Sequence, residues 1–339
     1  MDHHPRDVRF DNLKGILIFF VVFAHALYKF EDSSMLVSQC VEAVIYSFHL
    51  PALVFIAGYF SKDALKSPHY SLHLVKRLLV PLIAAQALMW TISSRSVYTL
   101  FVPEWTLWFL LCLFFWRMLI FPISRIRYSL AVSIIFSLLV GYSPADRLFS
   151  LSRMVTFFPF FLAGYKMTDV SLSRLRKINK IIPAAMLILI FSAVVFMRLR
   201  KIPVLDAFQM AEPYDYYFED EFHGLLLRFA ALLMGFLSVG SLLALMPRKQ
   251  SLITSIGKNT ITVYLGHSFA LLAIRKFIML VSPALLSNEV VVLFCSLILA
   301  FLLCLLFASS RVANLYDMII SWLSRYVFVQ SKSTKKHQA

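Results

Sequence analysis

Charge is scarce in this chain. Only 15% of its 339 residues are charged and 60% are hydrophobic, whereas a soluble domain carries about a quarter charged residues. A soluble fold of this composition would lack the polar surface to cover its outside, so lipid is the natural solvent. Cysteine is scarce too. Cys40, Cys112, Cys295 and Cys304 lie in apolar segments without a C-x-x-C pair, and free thiols are expected. The chain has no Gly-rich phosphate loop, no G-x-S-x-G and no H-E-x-x-H. The net charge of +15 would suggest nucleic acid in a soluble protein. Here the basic residues sit between apolar runs, so topology explains them and no nucleic-acid partner is expected.

What the chain has is long apolar runs. Ten are read as spanning, over roughly 13–28, 39–60, 74–92, 105–121, 128–142, 154–167, 181–197, 224–246, 260–281 and 288–308. The fifth and sixth are short for a full span. The first run carries Lys14 and His25 and no small-residue cleavage site follows it, so it reads as helix one and not as a signal peptide. With the N-terminus inside, most Lys and Arg fall in the tails and inner loops, as the positive-inside rule expects. The expected fold is therefore all-α: a polytopic cell-membrane protein of about ten transmembrane helices with both termini cytoplasmic. The membrane domain is placed at 1–310. Residues 311–339 are read as an amphipathic inner-surface helix, with Val312, Leu315, Tyr316, Ile319, Ile320 and Leu323 at helical spacing, followed by a disordered tail from Ser331. Oligomeric state has no signature.

The longest outer loop, Arg198 to Phe222, holds Asp206, Glu212, Asp215, Glu219, Asp220 and Glu221 with Tyr214, Tyr216 and Tyr217 between them. It reads either as a sugar-binding surface or as a solvated loop.

Ionisable residues inside spans are costly, so each is a functional candidate. Lys14 enters helix one from the inner end, and His25 lies eleven residues on, about 16 Å along the axis. That places a cation at the inner mouth and a titratable imidazole in the outer half, where neutral imidazole can take a proton from a hydroxyl. Asp11 is positioned to hold Lys14. Glu42 and His49, seven residues apart, share a face of helix two, and Pro51 bends that helix. His267 falls near mid-depth in helix nine. The competing reading is that Lys14 snorkels and the histidines are packed, hydrogen-bonded side chains. Three histidines could ligate zinc, but no ligand spacing supports it and no metal is expected. Arg228, Arg275 and Lys276 are read as snorkelling. Trp105 and Trp108 read as an interfacial belt or, with Tyr264, as substrate contacts.

The order of these pieces resembles the acyltransferase-3 family of membrane acyltransferases, most of all its fucose 4-O-acetylase-like branch. The resemblance runs from Arg9-Phe10-Asp11-Asn12-Leu13-Lys14-Gly15 through His25, then Phe48-His49-Leu50-Pro51, Lys76-Arg77-Leu78-Leu79-Val80-Pro81 and Trp105-Thr106-Leu107-Trp108. It continues with Phe157-Phe158-Pro159-Phe160-Phe161, Gly164-Tyr165 and Gly257 to His267. It implies a ten-helix fold, an acyl-CoA donor (by family habit acetyl-CoA) on the cytoplasmic side, and a carbohydrate acceptor outside. By the same match His25 takes the essential histidine position and Lys14 the donor-handling basic position, with Arg77, beside Lys76, at a second one. Glu42, His49 and His267 are then candidates for orienting His25 or the acceptor. Where the best-known branch carries W-S-L-x-x-E, this chain reads Pro103-Glu104-Trp105-Thr106-Leu107-Trp108, and no appended hydrolase-like domain is expected. The resemblance does not single out one acceptor. The competing class is a glycan-precursor transporter or flippase, against which stands the lack of an inverted repeat.

Overall fold

The computed structural model describes residues 7–30, 34–64, 70–92, 102–144, 149–282 and 286–328. Among them there are helices and no strands. The main helices are α1 (Val8–Phe30), α2 (Leu36–Tyr46), α3 (His49–Tyr59), α4 (Val80–Ile92), α5 (Trp108–Ser124), α6 (Ser129–Leu139) and α7 (Leu151–Lys166). They continue with α8 (Ile181–Leu199), α9 (Val204–Gln209), α10 (Glu221–Leu245), α11 (Leu252–Lys258), α12 (Thr260–Val281), α13 (Glu289–Phe307) and α14 (Ser310–Val327).

Among the described residues, eight helical segments are long and apolar enough to cross a membrane. The fifth and sixth predicted runs form α6 and α7, of 11 and 16 residues, shorter than the roughly 20 that a bilayer requires. The chain is thus an all-helical, polytopic membrane protein. The lipid-facing outside is apolar: Ile188, Leu189 and Phe294 are all exposed, as an element solvated by hydrocarbon requires.

Pro51 does not bend a continuous helix two. The helix breaks at Ser47–Phe48, and Pro51 sits in the first turn of α3, where a missing N–H costs no helical bond. Pro81 acts differently. It has no N–H to give the Arg77 carbonyl, and the turn before it widens into a π-helix, Val75–Leu79, in which Val80 N–H bonds the Val75 carbonyl.

Helix α1 is central and packs on α11, α13, α12, α3 and α2. Its first turn explains the Asp-Asn-x-Lys-Gly sequence. Asp11 pairs with Lys14 at 2.8 Å. The Asn12 amide donates to the carbonyls of Pro247 and Lys249, both at 2.9 Å, and its own oxygen accepts from Thr254. Gly15 and Gly257 let α1 and α11 touch backbone to backbone. A Cβ on Gly257 would sit 1.7 Å from the Asp11 carbonyl oxygen, and one on Gly15 2.1 Å from that of Ile253. The α3–α7 crossing, at Gly58 and Gly164, is built the same way.

The acidic, tyrosine-rich loop between α8 and α10 is folded down, not splayed. Tyr214 is fully buried, its hydroxyl donating to the Leu138 carbonyl at 2.6 Å, and Tyr217 is buried beside it. Arg228 does not snorkel as predicted. It is fully buried and donates to the Glu212 carbonyl at 2.6 Å, its guanidinium 4.9 Å from the Tyr214 ring. Asp215, Glu219, Asp220 and Glu221 face solvent. Burial pushes the Tyr214 and Tyr217 phenols up to about 12, from an ordinary value of about 10. The sign follows: the docked loop favours the neutral phenols, so their contribution is complete below pH 10 and is lost as pH rises towards 12. In a spectrophotometric titration, the tyrosinate signal removed by Tyr214→Phe is expected to appear near pH 12. A signal at the ordinary value would mean the loop is not packed in this way.

Helix α14 follows α13 directly, capped by Ser309. It buries Ile320 and Ser324 and exposes Leu315, Met318 and Trp322. The predicted tail from Ser331 lies outside the described residues.

Candidate active site

A cavity of about 560 Å³ runs beside α1 from Lys14 to His25 and Tyr28. The walls between are apolar, from Ile18, Val21, Leu50, Leu53, Leu110 and Leu113. The Lys14 part holds a second cation, Arg117. Towards Tyr28 the lining includes Trp105, Trp108, Arg153 and Gln209. The space therefore holds two cations in its Lys14 part, is apolar along its length, and is aromatic and polar, with a further cation in Arg153, towards the other end.

His25 and His267 meet there. Their rings stack at 5.2 Å, 7° from parallel, with His25 Nδ1 2.9 Å from His267 Nε2. The tautomers follow from what surrounds them. His267 Nδ1 lies 2.9 Å from the Val263 carbonyl, one helical turn back. A carbonyl only accepts, so Nδ1 carries the proton and Nε2 of the neutral ring accepts. The donor to Nε2 is then His25 Nδ1–H, which puts the His25 lone pair on Nε2. Ser268 Oγ is 3.5 Å from His267 Nε2, too far to compete with a 2.9 Å bond.

The surroundings hold this pair in place. Tyr264 donates its hydroxyl to the Thr106 carbonyl, and Thr106 Oγ1 is 2.7 Å from Ser268 Oγ. These bonds tie α12 to the turn that carries Trp105. That turn is strained: Trp105 has φ 39°, in the left-handed region, which costs a bulky residue about 1–3 kcal/mol. The Trp105 ring lies 5.4 Å from that of His25.

Of the residues singled out in the sequence, Lys14, His25, Trp105, Trp108 and Tyr264 line the cavity. His267 reaches it through His25, and Asp11 through Lys14. Glu42 and His49 are fully buried but do not line the cavity; Tyr46 and Leu50 do so from the same elements. His49 Nδ1–H donates to the Ile45 carbonyl at 2.7 Å, across the helix break. Lys76 and Arg77 are exposed and do not line the cavity. Arg117, Arg153 and Gln209 were missed. In the sequence each reads as a span end or a loop residue, where only a solvated charge or amide is expected. Among the described residues, no three His, Cys, Asp or Glu side chains cluster as metal ligands.

Comparison with known proteins decides the family. The acyltransferase-3 family model, described as an acyltransferase domain, matches residues 7–309. The chain belongs to the acyltransferase-3 family. The nodulation protein NolL of Mesorhizobium japonicum is 34% identical over 100 residues, covering 27% of this chain. That stretch is about a quarter (26%) of NolL's own length. No solved structure matches the chain.

Proposed function

We propose that this acyltransferase moves an acetyl group from cytoplasmic acetyl-CoA to a hydroxyl of an extracytoplasmic carbohydrate, in the cell membrane, with His25 as the general base. The observation that carries the proposal is the His25–His267 pair on a cavity that joins a cationic part to an aromatic, polar one.

The site fits such a donor. Lys14 and Arg117 are suited to phosphates, and the apolar length from there to His25 suits a long, thin thioester arm. With the N-terminus inside, as the charge asymmetry expects, the Lys14 end faces the cytoplasm. A hydroxyl arriving from the Trp105 side would donate its proton to His25 Nε2 as its oxygen attacks the thioester carbonyl. The carbon–oxygen bond forms, the carbon–sulfur bond breaks, and the leaving thiolate takes the proton from His25. His267 stabilises the imidazolium by accepting from Nδ1–H, much as a buried acceptor does in other histidine-based sites.

Two tests follow. Cells with and without the functional chain should differ by a base-labile ester on a surface or secreted glycan. Unchanged esters with an intracellular build-up of glycan precursor would point to the transporter reading instead. Within the site, His267→Ala is expected to lower kcat about 10²- to 10⁴-fold, because His25 loses the acceptor that fixes its tautomer. His267→Gln can restore a carbonyl acceptor and should recover part of that loss. Equal activity in all three proteins would remove His267 from the mechanism.

A further inference from the structure

The acyl-CoA reading leaves open which cations meet the phosphates. Family resemblance points to Lys14 and Arg77, but Arg77 does not line the cavity and Arg117 does. Arg117 lies on α5, just past the tryptophan Trp116 and within an otherwise apolar stretch.

Its surroundings are those of a cation held for a ligand. Ser61 gives its hydroxyl proton to the Ala57 carbonyl at 2.7 Å, so its oxygen accepts from Arg117 Nε–H at 3.2 Å. The Tyr70 hydroxyl fixes the backbone by donating to the Arg117 carbonyl at 3.0 Å. Both bonds leave the two terminal nitrogens of the guanidinium for a forked contact. Among the described residues no carboxylate pairs with Arg117. The π-turn that bears Arg77 packs on α5, and Arg77 lies within electrostatic range of Arg117. A cation with no carboxylate paired to it and a second cation on the neighbouring turn is an arrangement that an anion relieves.

We propose that Arg117 binds a phosphate group of the acyl-CoA donor, together with Lys14, while Arg77 adds to the field from behind. The proposal rests on the acyl-CoA reading above, and binding measurements can separate the two. The full chain in lipid nanodiscs would be titrated calorimetrically with CoA and with pantetheine, which has the arm but no phosphates. Wild type should bind CoA more tightly than pantetheine. Arg117→Gln should weaken CoA by about 10- to 100-fold, the worth of a charge-assisted bond, and leave pantetheine unchanged. Arg117→Lys should keep part of the CoA affinity. Unchanged CoA binding in Arg117→Gln would overturn the role of Arg117. So would an equal loss for CoA and pantetheine, since that marks a distorted cavity. Wild type that binds neither ligand would overturn the acyl-CoA reading itself, and this proposal with it.

Discussion

His25→Ala is expected to abolish acyl transfer, lowering kcat by about 10²- to 10⁴-fold, the range a positioned general base supplies. The protein should stay folded. His25 is only half-buried, and its removal leaves the α1–α11 crossing and the Asp11–Lys14 pair intact. CoA binding should also survive, because the cations that would hold the phosphates lie about three helical turns away along α1. The variant therefore separates binding from chemistry: the melting temperature and CoA affinity near wild type, the transfer rate lost. A variant that retained transfer would show that the histidine pair is packing and not machinery. One that lost CoA binding as well would place His25 in the donor site instead.

Gly257→Val is expected to be the most damaging substitution for the fold and for transfer together. The added Cβ would lie 1.7 Å from the Asp11 carbonyl oxygen, which is backbone and cannot swing aside. The two helices must separate, and overpacking of this kind costs about 1–3 kcal/mol or more. The crossing also sets chemical register. Helix α1 carries His25, and α11 leads directly into α12, which carries His267, so the 2.9 Å contact depends on how closely α1 and α11 meet. A shift of about 1 Å can cost 10²-fold in rate. Thermal melts of the variant should show a clear drop, and any protein that remains folded should transfer poorly. Gly240, with nothing near its Cβ position, is the control, and Gly240→Ala should be close to neutral. Normal stability and rate in Gly257→Val would mean that the helices do not meet at this distance.

Much of this was legible in the chain itself. The scarcity of charge and the apolar runs gave a polytopic helical membrane protein. The eleven-residue spacing from Lys14 to His25 placed both on one helix, and both line the cavity that the structure shows. His267 stood out as an imidazole in an apolar span. Its direct contact with His25 did not, because 242 positions separate the two and only the α1–α11–α12 packing brings them together. Glu42 and His49 were grouped by assuming one continuous helix. The break at Ser47–Phe48 ends that helix between them, so a shared face no longer follows from their spacing. Arg117 was hidden for another reason. At the inner end of an apolar run, one more arginine looks like a positive-inside charge. What distinguishes it is a serine 56 positions earlier that holds its Nε, and a cavity that sequence cannot display.

The central claim is that an acyl group passes from a cytoplasmic donor, by way of His25, to a hydroxyl on the other side of the membrane. Sealed inverted vesicles carrying the native glycan test it most directly, with acetyl-CoA labelled in the acetyl group supplied outside. Label on lumenal glycan with wild type, and none with His25→Ala, is the predicted result. Equal label with both proteins would contradict the account.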